Sequence, residues 1–170
     1  MRVLVIGAGA REHALCWKLA REAGVDALSC APGNAGIALD VPCLPLDPVR
    51  PADVVALVER ERADLTVVGP EAPLTAGVVD ALAAAGHRAF GPTRLAAAIE
   101  SSKAFAKRVM DASGVPTARH VTCASQAEAL AVLKRGGFGL PVVIKADGLA
   151  AGKGVIVAED AQAARRPCGT

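Results

Sequence analysis

The run PVVIKADGLAAGKGVIVA, residues 141–158, sets Lys145 inside an apolar strand and Lys153 in a glycine-rich stretch that leads to a second apolar strand. Two cations joined by little but bare backbone suit a polyphosphate. A glycine hairpin presents its N–H groups as a nest, and Lys153 adds charge. Asp147, Gly148, Gly152 and Gly154 belong to the same hairpin. Alternation along the strand puts Lys145 on one face with Val143 and Asp147, toward solvent or a ligand. A P-loop is excluded: three residues, not four, separate Gly148 from Gly152, and Gly154 follows Lys153 where Ser or Thr is required. A solvated hairpin would use the same residues, but so many hinge-like positions make most sense if something orders them.

A second group opens the chain. VIGAGAREHA carries Gly7 and Gly9 between a first strand and a helix, where free N–H groups at the helix start could cradle a phosphate. The dinucleotide fingerprint fails twice here. Its third glycine would fall at Glu12, and its ribose-binding acid would fall near Ala31 and Pro32. A phosphorylated small molecule fits better, with Arg11 for the phosphate and Glu12 for hydroxyls or an amine. A tight turn with a solvated Arg–Glu pair would also explain these residues. Asn34 in PGNAG and Glu71 in GPEAPLTAG follow later strands, at the sheet edge where ligands bind in parallel α/β folds. Turn chemistry accounts for the neighbouring glycines and prolines but not for Glu71. His13 receives no role.

Such groups need elements to position them. RVLVI (2–6), ALSCA (27–31), DLTVVG (64–69) and the short HRAFG (87–91) read as strands. Between them AREHALCWKLAREAG, ending at Gly24, PADVVALVERERA, starting at Pro51, and TAGVVDALAAAG read as helices. This alternation predicts an α/β fold with a parallel, doubly wound sheet over about residues 1–92. A second unit follows: a long helical stretch closed by Gly114 and Pro116, and a strand ARHVTCA. Next come a helix QAEALAVLKR with a Ser125–Glu128 capping box, and the two strands of 141–158. The closing EDAQAARRPCGT starts as a helix that Pro167 stops, so this unit reads as cut off.

Composition narrows the function. Of 170 residues, 52% are hydrophobic and only 2% aromatic, so the core rests on Val, Leu, Ile and Ala. A net charge of +2 makes no case for nucleic acid or an anionic membrane as partner. No apolar run approaches a membrane span, and no signal peptide opens the chain. The five cysteines lack CxxC spacing and read as reduced thiols, so the expected location is cytoplasmic.

Taken together, VLVIGAGAREHAL, APGNAG, DLTVVGPEAPLTAGVVD, SSKAFAKRVM, GVPTA and PVVIKADGLAAGKGVIVA resemble the phosphoribosylamine–glycine ligases (glycinamide ribonucleotide synthetases) of the ATP-grasp superfamily. The resemblance implies a pre-ATP-grasp substrate domain over residues 1–100 and the start of an ATP-grasp domain, incomplete, over 101–170. It implies ATP-dependent joining of glycine to 5-phosphoribosylamine in purine biosynthesis, through an acyl phosphate, with ATP and Mg²⁺. Lys103 and Lys145 would be the nucleotide-binding lysines. Asp147 to Gly154, with Gly148, Gly152 and Lys153, would be the flap over the phosphates. Gly9, Arg11, Glu12, Asn34 and Glu71 would line the sugar-phosphate site. Metal-binding acids, adenine hinge and C-terminal domain would all lie beyond residue 158, so a truncated chain without activity of its own is expected. A nicotinamide-dinucleotide-binding oxidoreductase domain and a non-catalytic phosphoribosyl-binding module remain the alternatives.

Overall fold

The computed structural model describes residues 1–149, 154–160 and 162–165, and the chain divides into units of residues 1–98 and 99–170.

In the first unit β1 (Arg2–Gly7), β2 (Ala27–Pro32), β3 (Leu65–Val68) and β4 (Ala89–Phe90) form a parallel sheet in the order β2-β1-β3-β4. The central strand β1 is buried from Val3 onward, as a continuous apolar run in a two-sided sheet must be. Its side chains alternate between two cores. Val3 and Val5 pack with Cys16, Cys30 and Ile37 on the face of α1 (Ala10–Leu19). Leu4 and Ile6 pack on the other face with Val54, Leu57 and Val58 of α2 (Pro51–Glu61), Leu74 of α3 (Glu71–Ala76), and Val78 and Leu82 of α4 (Val78–Ala84). The sheet is therefore doubly wound. The chain leaves β1 toward β2 and returns to β3 on the far side, so the topological switch lies between the carboxyl ends of β1 and β3.

Several elements differ from the sequence-based expectation. α1 ends at Leu19, not at Gly24, because Arg21 and Glu22 tighten to bonds with Lys18 and Leu19 carbonyls three residues back. The single helix expected over TAGVVDALAAAG is broken at Gly77, whose φ of +88° ends α3 and lets α4 start in a new direction. Glu71, read as a turn residue, is instead the first residue of α3.

The second unit holds α6 (Lys103–Ala112), α7 (Gln126–Arg135) and an antiparallel pair, β5 (Val142–Lys145) with β6 (Val155–Ala158). α5 (Arg94–Ser101) precedes α6, and the long helix expected there is interrupted at Ser102. Ser102 adopts extended backbone and its hydroxyl oxygen accepts the Phe105 N–H, a helix N-cap in the middle of the run. No strand forms over 118–124. Alternation alone does not make one without a neighbour to pair with, and this stretch is held from outside by Lys107, which donates to Thr117 Oγ1 and the Ala118 carbonyl. The capping box at α7 forms with a shift: Ser125 accepts the Glu128 N–H, but Glu128 reaches back to the Ala124 N–H rather than to Ser125. After β6 the described residues make only a 3₁₀ turn, Ala163–Arg165, where a helix was expected; its Pro167 stop lies outside the described residues. Among the described residues four cysteines are free, and no helix is long and apolar enough to cross a membrane.

Candidate functional site

The first unit gathers its candidates at the carboxyl edge of the sheet. The loops after β1, β2 and β3 are tied to one another there. Asn34 Nδ2 donates to the Ala8 carbonyl at 2.7 Å, and its Oδ1 accepts the N–H groups of Gly36 and Ile37 at 2.8 and 2.9 Å. Arg11 spans the switch: its Nη1 donates to the Gly69 carbonyl at 2.8 Å, and both its Nη1 and Nη2 reach Glu71 Oε1 at 3.1 Å. Gly9, Arg11, Glu12, Asn34 and Glu71, separated by up to 62 residues in sequence, thus share one edge.

Glu12 does not face outward as a ligand-binding group on an open turn would. It is buried, with 3% of its surface exposed, and its Oε2 accepts the Gly9 N–H at 2.7 Å. Three glycines make room for it. A Cβ on Gly7 would meet Glu12 Cγ at 2.5 Å, one on Gly9 would meet Oε2 at 2.9 Å, and one on Gly69 would come closer still to Oε1. The glycine turn, read in the sequence as an open phosphate cradle, is filled by the chain's own carboxylate.

Glu71 sits at the N-terminus of α3, where its own backbone N–H, and then the Arg11 guanidinium, hold its carboxyl below the ordinary value of 4.5. The ionised form is therefore favoured in the folded chain. That stabilisation is present above about pH 4.5 and fades as the pH falls through the folded-state value. Glu71→Gln is expected to melt modestly below the parent at pH 7, since the pair is partly exposed, and the gap should shrink as the pH is taken well below 4.5. Calorimetry across that range checks it; a gap that persists undiminished in acid would assign the effect to packing.

The second unit joins the start of α6 to the loop after β5. Lys103 Nζ donates to the Gly148 carbonyl at 2.7 Å. Asp147 accepts the Ser102 hydroxyl at 3.0 Å and the Ala104 N–H at 3.2 Å, so it caps α6 across 45 residues of sequence. Burial acts to raise the Asp147 carboxyl, but these donors outweigh it and the net shift is downward. Lys145 ends β5 with its side chain exposed beside exposed Val143, the face that strand alternation assigned, and no side chain among the described residues pairs with it. Gly154 is buried and accepts the Ala146 N–H at 2.7 Å, closing the base of the hairpin. Gly152 and Lys153 lie outside the described residues.

The sequence reading overlooked Gly69, Ser102 and the pair His13–Asp40, whose Nε2 and Oδ2 lie 2.9 Å apart beside the PGNAG loop. Ser102 was accessible, since a serine before a helical run is an ordinary N-cap signal. Gly69 was not, because what needs its bare Cα is a side chain 57 residues earlier.

Comparison with known proteins agrees with this arrangement. The family described as phosphoribosylglycinamide synthetase, N domain, matches residues 1–100, and phosphoribosylglycinamide synthetase, ATP-grasp (A) domain, matches residues 101–168, past the last motif at Ala158. The chain is 57% identical over 165 residues to the phosphoribosylamine–glycine ligase of Streptomyces coelicolor and 55% identical over 158 residues to that of Ralstonia nicotianae. It covers 39% and 37% of their lengths, while they cover 97% and 93% of it. The crystal structure of phosphoribosylamine–glycine ligase from Thermotoga maritima superposes with a TM-score of 0.75 at 30% identity, over 97% of this chain and 38% of that one. Biotin carboxylase from Campylobacter jejuni, at 21% identity and a TM-score of 0.72 over 95% of this chain and 39% of that one, shares the fold. The chain spans about 39% of the length of the curated ligase it matches best among these. With both family matches and this doubly wound edge in hand, the chain belongs to the phosphoribosylglycinamide synthetase family.

Proposed function

We propose that this chain carries the sugar-phosphate contacts and the first nucleotide contacts of an ATP-dependent carbon–nitrogen ligase that joins glycine to 5-phosphoribosylamine. The observation that carries the reading is the bond from Lys103 Nζ to the Gly148 carbonyl, which brings a cation from α6 onto the glycine-rich loop. Lys145 at the end of β5 supplies a second cation in the same unit. In the reaction a glycine carboxylate oxygen attacks the γ-phosphorus of ATP and ADP leaves. The amine of phosphoribosylamine then attacks the acyl carbon, loses a proton and expels phosphate. Little covalent work falls to the protein in such a transfer; it positions the partners and offsets charge. Lys103, Lys145 and the N–H groups of the loop from Asp147 would act on the ATP phosphates, with Gly152, Lys153 and Gly154 continuing that loop. Arg11, with Asn34 and Glu71 beside it, would receive the ribosyl phosphate above the floor that Gly9 and Glu12 make. These are small, soluble substrates, in keeping with work in the cytoplasm.

Mg²⁺, which this chemistry calls for, finds no fitting donor set here. Among the described residues no three His, Cys, Asp or Glu side chains are grouped to hold a metal ion, and the oxygens of Asp147 already accept from Ser102 and Ala104. A hard cation needs several oxygen ligands.

Substituting Lys103 by Met, and separately Lys145 by Met, is expected to weaken binding of a non-hydrolysable ATP analogue about tenfold each, the effect of losing one charge-assisted hydrogen bond. Isothermal titration of the chain measures it. Affinity unchanged in both variants, or no analogue binding by the parent chain, would remove the nucleotide half of the reading.

A further inference from the structure

In a doubly wound sheet the turn after β1 ordinarily delivers a phosphate to the N-terminus of the following helix. Here that position is occupied from within. Glu12, in the first turn of α1, folds back so that Oε2 takes the Gly9 N–H at 2.7 Å, and the side chain fills the space above Gly7, Gly9 and Gly69. It does so at 3% exposure, so the carboxylate belongs to the floor of the crevice rather than to its mouth. The space above the turn and the Gly9 N–H are spent on an internal anion at the favourable end of the helix dipole.

We propose that Glu12 is a specificity-determining residue that bars phosphate and pyrophosphate groups from the glycine turn. It leaves Arg11, at the mouth of the switch, as the place where an anionic ligand is received. The proposal deepens the reading of this edge as a ribosyl-phosphate site and rests on it. Three things carry it. The Gly9 N–H, at the cap of α1, is already taken by Glu12 Oε2. The glycines that would let a pyrophosphate approach the backbone are in contact distance of Glu12 instead. At the mouth, Arg11 is 61% exposed in its side chain and, among the described residues, is held by Glu71 and one carbonyl, so an incoming anion can compete for it.

The test uses the full chain with inorganic pyrophosphate and ribose 5-phosphate as probes, read by backbone amide NMR and isothermal titration. In the parent chain, pyrophosphate is expected to leave the Gly9 amide unmoved. Glu12→Ala frees the N–H and the space, and is expected to bind pyrophosphate at least tenfold more tightly than the parent, with the Gly9 amide now shifting. Glu12→Gln keeps the bulk and an oxygen acceptor, so it is expected to stay at the parent level. A Gly9 shift on adding pyrophosphate to the parent overturns the proposal without any variant, whether or not Glu12→Ala folds. No gain in a folded Glu12→Ala, or an equal gain in Glu12→Gln, overturns it too. Ribose 5-phosphate separates this outcome from the wider reading. If it fails to bind the parent while Glu12→Ala still gains pyrophosphate, the exclusion stands and the ribosyl-phosphate assignment falls.

Discussion

Gly7→Ala is expected to destabilise the 1–98 unit by about 3 kcal/mol or more, enough to unfold much of a domain of ordinary stability. Two costs combine at this residue. Its φ of +136° is a conformation that side chains other than glycine rarely adopt. In addition, a Cβ there would lie 2.5 Å from Glu12 Cγ and 2.7 Å from Cδ. Glu12 cannot swing aside, because it is buried and bonded to Gly9. Gly69→Ala isolates the second cost, since Gly69 is not among the glycines with positive φ. Removing the obstacle should therefore rescue Gly69→Ala more fully than Gly7→Ala. In a Glu12→Ala background the cost of Gly69→Ala should drop by roughly 2 kcal/mol, whereas Gly7→Ala should retain about 1–2 kcal/mol of backbone strain. Urea titration of the parent, the three single variants and the two double variants measures these couplings. Additive costs at Gly69 and Glu12 would show that the two residues do not compete for the same space.

The second large effect is a contrast in protection between the units. Amides of β1 are expected to exchange only through global unfolding, because Val3 to Ile6 are buried and paired on both sides. Amides of β5 and β6 are expected to exchange about a thousandfold faster or more, equivalent to roughly 4 kcal/mol less local stability. The reason is the core. Among the described residues of 99–165 only Gly154, Ala158 and Ala164 are buried, and β5 and β6 pair only with each other. A two-stranded ribbon without an apolar layer beneath it is marginal in water. Val143, Val155 and Val157, on the face of Lys145, are 51%, 42% and 61% exposed, and on the opposite face Val142, Ile144 and Ile156 are only half-buried. Native-state hydrogen exchange on the chain decides the matter, and protection in β5 equal to that in β1 would mean that the second unit is stabilised by contacts other than these.

Both expectations draw on features of very different legibility. Alternating strands and helices in residues 1–92 could be read because each apolar run has one period, and burial on two faces demands it. The position of Lys145 on an exposed strand face followed from the same period of two. The breaks were harder. Gly77 and Ser102 interrupt apolar patterns that would otherwise continue, and whether such a residue bends a helix or is tolerated within it depends on what packs beside it. The strand expected over 118–124 failed for a related reason: alternation describes a side-chain pattern, whereas a strand requires a partner for its backbone.

The sequence by itself determined the family and the doubly wound topology, and offered the candidate residues, since these depend on residue type and local spacing. Only the tertiary structure decided what those residues do to one another. Asp147 becomes the cap of a helix that begins 44 residues earlier, Arg11 joins the ends of β1 and β3, and Glu12 fills a turn that looked empty. Hydrogen bonds and excluded volume act over a few ångströms in space, and no periodicity along a chain reports which distant atoms will come that close.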